Sequence, residues 1–185
     1  AITDFSYSVS PSDLSAAGFP EVGPNEEADW TILAYYGGDT DLEAGLINDF
    51  NEFELSGGST EQVRILVLLD RTPEFTDTSG NWDTVRIFEV QADVSADHQI
   101  VFPPTLDSVL LAELGELNTG DGQTLAQFLV WGVRNYPAQN YAIAFGGHGS
   151  GWEGLIPDDT SDHIILSVPE LALAFELATA EAGVG

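Results

Sequence analysis

Three short, nearly continuous apolar runs, at residues 30–36, 63–69 and 141–145, constrain this chain more than any other feature. They are strand-length, and they give way to Gly37 and Gly38, to Asp70 and to Gly146. This is the pattern of strands buried on both faces. Between them the apolar period lengthens. Leu42, Leu46, Phe50 and Phe53 mark one helix face that ends at Gly57 and Gly58, with Asp39, Thr40 and Asp41 as N-cap and first-turn acids. Leu125, Phe128, Leu129 and Val133 mark another, stopped by Pro137. Strands alternating with helices predict an α/β fold, a mainly parallel sheet flanked by helices on both faces. In such sheets the chemistry gathers at the carboxyl ends of the strands.

The remaining elements follow from weaker signals. Residues 84–90 alternate and read as a strand nearer an edge, and residues 99–102 as a short further strand. A short helix is expected after Thr105, with Val109, Leu110 and Leu114 inward. Ser167 and Glu170 form a capping box for a final helix that carries Leu171, Ala174, Phe175 and Ala178 inward, with Leu166 and Leu171 as its staple. Residues 1–28, with Pro11, Pro20 and Pro24, read as an extended arm or pro-segment remnant, and residues 29–185 as the domain. With 185 residues the chain is long enough for one such domain with a real core. No basic region followed by an apolar stretch opens the chain, so a signal peptide is expected to be absent or already removed.

Charge narrows the partners. Arg64, Arg71, Arg86 and Arg134 are the only basic residues apart from histidine, against 31 acids, for a net charge of −27. Nucleic acid and anionic membranes need protein cations to replace counterions, so both are excluded as partners. A basic peptide, calcium or a salty medium suits this surface, and so does plain solubility. Cysteine is absent, so no disulfide, zinc–thiolate site or thiol nucleophile comes from these residues.

The densest chemical signal follows the third strand. Residues 146–152 hold four glycines around His148, which strip side chains from one imidazole and let a substrate backbone approach it. An imidazole bare at a strand end suits proton transfer near neutral pH, and the Gly149 N–H is placed to act as an oxyanion donor. A turn whose histidine caps a carbonyl is the plain structural alternative. His98 and His163 lie in polar stretches and read as surface residues, and the three histidines have no zinc spacing. Ser150 as a serine nucleophile would need glycine at position 148, where His148 stands.

Read in order, these segments resemble the clostripain (C11) family of cysteine peptidases. Asp29 and Trp30 with the following strand, then Gly38, Asp39, Asp41, Leu42 and Glu43, are similar to the family's first strand and turn. Asp70 and Arg71 resemble its Asp-Arg strand ending. Glu116, Asn118, Gly120 and Asp121, then Tyr136, Pro137 and Tyr141, then His148 to Trp152 and Asp158 and Asp159, match in order over about residues 29–180. The resemblance implies a caspase-like fold and a Cys–His dyad with His148 as the histidine and Gly149 N–H in the oxyanion hole. It implies cleavage of peptide or protein substrates after Arg or Lys. The nucleophilic cysteine would come from a C-terminal peptidase chain left by internal cleavage, or from a segment absent because the sequence is shortened. It also implies calcium (Ca2+) dependence, for which Asp39, Asp41 and Glu43, or Asp158, Asp159 and Asp162, could supply oxygens. Family habit and acidity point to a secreted or cell-surface protein. The rival reading is a non-catalytic caspase-like scaffold that binds peptides or partners.

Overall fold

In a computed structural model, residues 7–23, 25–93 and 106–183 are described. A five-stranded sheet forms the centre, in the order β4-β3-β2-β1-β5. Strands β1 (Ala28–Gly38), β2 (Val63–Arg71) and β5 (Ala138–Gly146) are parallel, with β1 between the other two. Strands β3 (Arg86–Glu89) and β4 (Val109–Glu113) extend the sheet antiparallel beyond β2. The expected sheet is thus mixed, with a parallel core.

Side-chain alternation along β1 and β2 divides the core in two. Leu33, Tyr35, Leu66 and Leu68 face helices α3 (Gly122–Asn135) and α4 (Val168–Ala182), against Leu125, Phe128, Leu129 and Ala174. Ala34, Tyr36, Val67 and Leu69 face helix α2 (Glu43–Leu55), against Leu46, Ile47 and Phe50. Both faces are therefore covered, as the apolar runs require. Glu170 Oε2 accepts the Ser167 N–H at 3.0 Å, which closes the expected capping box of α4.

Several expectations are corrected. The segment after position 105 forms β4 rather than a helix. Its Val109–Ala112 stretch pairs with β3, and Glu113 reaches Arg86 at 2.7 Å. The tertiary partner here overrides a short apolar pattern that either element could satisfy. The segment read as an extended arm contains helix α1 (Pro11–Ala16), whose Ser10–Asp13 capping box starts it. Leu14 and Phe19 are buried, and Trp131 Nε1 donates to Pro20 O at 2.7 Å, so residues 7–23 pack as part of the core. Residues 141–145 form an edge strand whose side chains are only half-buried, because β5 is paired on the β1 side alone. Helix α2 begins at Glu43 with Leu42 at its N-cap, so Asp39 and Asp41 do not cap it. The strand expected at 99–102, and His98, lie outside the described residues.

Candidate active site

Parallel neighbours end at the same edge of a sheet. Tyr36 of β1 pairs with Gly146 of β5, and Gly37 with Asp70 of β2. The loops that follow β1 and β5 therefore emerge together, and each sends a side chain to the other. His148 Nε2 lies 2.6 Å from Asp41 Oδ1. Both groups are open to solvent, the imidazole less so at 45 % than the carboxylate at 72 %. An ionised carboxylate can only accept, so the contact places a proton on Nε2 and leaves Nδ1 free to exchange one. Sequence reading placed Asp41 among caps and cation ligands; nothing in local spacing pairs it with a histidine more than a hundred positions away.

Beneath the turn sits a two-stranded hairpin of β6 (Gly154–Asp158) and β7 (Ile164–Ser167), which the sequence reading did not anticipate. Ser150 N–H donates to Gly154 O at 2.8 Å, and Ile156 N–H donates to His148 O at 2.7 Å. Gly149 and Leu155 form the non-bonded pair between these two bonds. The Gly149 N–H therefore points away from β6, and a side chain on Gly149 would meet nothing within 4 Å. The space beside the Gly149 α-carbon is thus open. Ser150 is exposed in the same turn, and Trp152 is 85 % exposed just beyond it.

Ile156 holds the turn from below. It is buried yet adopts φ 54°, a costly conformation for a β-branched residue. Its Cγ2 occupies the space where a Gly37 Cβ would lie, at 2.2 Å, and its Cγ1 would lie 3.1 Å from a Gly147 Cβ. Two glycines thus make room for one strained isoleucine, whose amide fixes the His148 carbonyl.

The acids expected to converge on calcium do not do so as local groups. Glu43 forms a buried ion pair with Arg71, and Arg71 also donates to Gly80 O and Thr76 O at 2.8 and 2.9 Å while stacking on Trp82. Asp41 engages His148. Asp159 engages His163 Nδ1 at 2.8 Å on the surface, and Asp162 is exposed. Instead, one carboxylate oxygen each of Asp39, Glu116 and Asp158 lie within 4.8 Å of one another. Asp158 is tied by Thr119 N–H at 2.8 Å and Ser161 N–H at 2.9 Å, and Asp39 Oδ2 by Thr160 N–H at 2.7 Å. Asp39 Oδ1 is buried without a donor, as is Asp70 Oδ1 behind Thr119. Burial and the neighbouring Asp158 hold Asp70 well above the usual carboxylate range. Burial likewise raises Asp158, against its hydrogen bonds and with Asp39 adding to the rise. Oxygen-only donors of this kind fit a hard divalent cation.

Residues 34–182 match the sequence model of the clostripain family, Peptidase_C11. The chain belongs to the clostripain family. Among curated proteins none matches. Among solved structures, a secreted C11 cysteine protease from Bacteroides thetaiotaomicron, in complex with an irreversible peptide inhibitor, superposes with a TM-score of 0.63 at 20 % identity, over 82 % of this chain and 40 % of that one. A further structure of a secreted C11 protease of that organism, iotapain, gives 0.54 at 13 % identity, over 86 % and 44 %. A B. fragilis cysteine protease gives 0.50 at 19 % identity, over 67 % and 92 %. The fold is the caspase-like fold of the clostripain family, and the chain spans 40 % of the length of the first of these relatives. No helix among the described residues is long and apolar enough to cross a membrane.

Proposed function

We propose that this chain is the histidine-bearing part of a clostripain-family cysteine endopeptidase, whose thiol comes from polypeptide outside these 185 residues. The observation that carries the reading is His148 at the tip of β5, its Nε2 engaged by Asp41 and its other nitrogen free, beside an outward-pointing Gly149 amide. The half-buried edge of β5 is where a further strand bringing that thiol would add.

The reaction runs in two displacements. A thiolate attacks the scissile carbonyl carbon, and the Gly149 N–H takes the developing oxyanion; one such donor is typically worth about 3–4 kcal/mol. His148 gives its Nδ1 proton to the departing amine as the C–N bond breaks and a thioester forms. It then takes a proton from water, whose hydroxide attacks the thioester and releases the acid and the thiolate, restoring the doubly protonated ring. Asp41 keeps the ring in one tautomer throughout. The charge of −27 favours substrates with Arg or Lys before the cut, by steering and by complementarity. Acidity and likeness to secreted proteases support secretion.

The test uses the assembled enzyme and Arg- and Lys-containing peptides. His148→Ala is expected to abolish cleavage while the thermal transition stays in place. A peptide-derived thiol alkylator is expected to label a cysteine-bearing polypeptide that copurifies with this chain or continues it. Normal turnover by His148→Ala overturns the assignment.

A further inference from the structure

We propose that Trp152 and Glu153 form a subsite for a second cationic side chain of the peptide substrate, so that the preferred substrates carry two basic residues close together. The proposal rests on the reading of His148 as the catalytic histidine and adds a contact away from the scissile bond.

Trp152 is 85 % exposed, and no other large hydrophobic side chain among the described residues exceeds 50 %. The turn that carries it is nonetheless anchored. Its base is closed by the Ser150 N–H on Gly154 O at 2.8 Å, and the Glu153 N–H reaches Ser150 O at 3.4 Å. Gly151, at φ 64°, sets the bend, and Gly154 lies so close to β7 that a Cβ there would meet Leu166 O at 2.3 Å. A fixed turn thus holds an indole in water, where its apolar face contributes little to the fold.

The chemistry around the ring says what it would take. Cations bind the faces of indoles, and this fold already uses that pairing: Arg71 and Arg86 lie over the Trp82 ring at 4.1 and 4.4 Å. Trp152 presents the same face, with the exposed Glu153 next to it, but has no arginine. The chain's four arginines are paired elsewhere, Arg64 with Glu89, Arg71 with Glu43, Arg86 with Glu113 and Arg134 with Glu181, and lysine is absent. A guanidinium or ammonium for Trp152 therefore comes from another polypeptide, and the net charge of −27 draws such chains in.

Position ties the ring to the substrate. Trp152 follows His148 by four residues, which bounds their separation at about 14 Å. A peptide bound in extended form covers that length in about four residues. A Cβ at Gly149 or Gly151 would meet nothing within 4 Å, so the surface between imidazole and indole is clear.

The test uses peptides with one Arg before the cut and a second Arg, or its neutral isostere citrulline, at each of four positions on either side. Affinity is read by fluorescence anisotropy on the assembled His148→Ala enzyme, and kcat/KM on the assembled enzyme with His148 intact. At one position the second Arg is expected to improve both about 3- to 10-fold over citrulline, through KM rather than kcat. Trp152→Ala is expected to bring that ratio to about one, Trp152→Phe to keep most of it and Glu153→Gln to reduce it. Trp30→Ala, at an exposed tryptophan near the opposite end of β1, is expected to keep the full ratio. A ratio near one at every position in the unaltered enzyme overturns the subsite, as does a ratio that survives in Trp152→Ala. Loss of the cysteine-bearing polypeptide from the Trp152→Ala preparation also overturns it and makes the indole an assembly contact instead. Normal turnover by His148→Ala overturns only the catalytic reading, because the binding ratio needs no cleavage.

Discussion

The imidazole of His148 and the carboxylate of Asp41 meet at 2.6 Å across the carboxyl ends of two adjacent parallel strands. The contact is solvent-exposed, so it adds little to stability, but it fixes which ring nitrogen is left without a partner.

Asp41→Asn is therefore expected to leave the unfolding temperature unchanged and to lower kcat by about 10- to 100-fold. That is less than the ~10²–10⁴-fold that complete loss of acid–base catalysis costs. Steady-state kinetics across pH check it. An unaltered KM with a changed pH profile is the signature of a positioning role, and an unaltered kcat removes Asp41 from the mechanism.

Gly37 and Gly149 should respond in opposite ways to alanine. The Gly37→Ala methyl collides with Ile156, whose amide holds the His148 carbonyl. A loss of about 1–3 kcal/mol is expected by urea denaturation. The Gly149→Ala methyl meets no protein atom, so stability should stay within about 0.5 kcal/mol. Its kcat/KM should nonetheless fall, because the methyl stands in the space left for substrate. A destabilised Gly149→Ala would contradict this division.

Glu43 and Arg71 are both buried, and Arg71 also anchors the loop at 72–82 through Thr76 and Gly80. Glu43→Ala leaves a guanidinium buried without its anion. A cost of about 3–5 kcal/mol is expected in chemical denaturation. The loss should be accompanied by a change in Trp82 emission, since Arg71 stacks on that ring.

Stability should rise as a metal-free solution is acidified from neutral. Burial is the first cause raising Glu54, Asp70 and Glu116 above the usual carboxylate range, opposed in Glu54 by hydrogen bonds from Ser108 and Asp107. An acid that binds its proton more tightly when folded contributes its stability fully below its unfolded value, near pH 4, and loses it as pH rises through the raised folded value. Asp13 acts in the opposite sense: hydrogen bonds from Ser10 lower it, so its contribution is lost in strong acid. Unfolding temperature measured against pH in chelator should fall as pH rises above the ordinary carboxylate range. Glu54→Gln should flatten part of that slope, and a slope of opposite sign would refute the account.

The parallel core was legible because burial on both faces demands long apolar runs and burial on one helix face demands a 3.6-residue period. Residues 30–36 and 63–69 and the Leu125–Val133 stripe could serve little else. Val109 to Leu111 failed that test, since so short a run satisfies a helix or a strand until β3 supplies its partner. Helix α1 had a local signal, Ser10 with Asp13, that proline content in the surrounding segment obscured. His148 and Gly149 stood out because glycine density is a local property.

Local chemistry and periodicity thus determined the strand–helix alternation, the family resemblance and the bare histidine. Which carboxylates meet was decided by the tertiary structure alone. Asp39, Asp41 and Glu43 sit within five positions of one another yet turn to Asp158, His148 and Arg71, respectively. Side chains in a turn diverge, and only the register of β1 against β2 and β5 sets what each one faces.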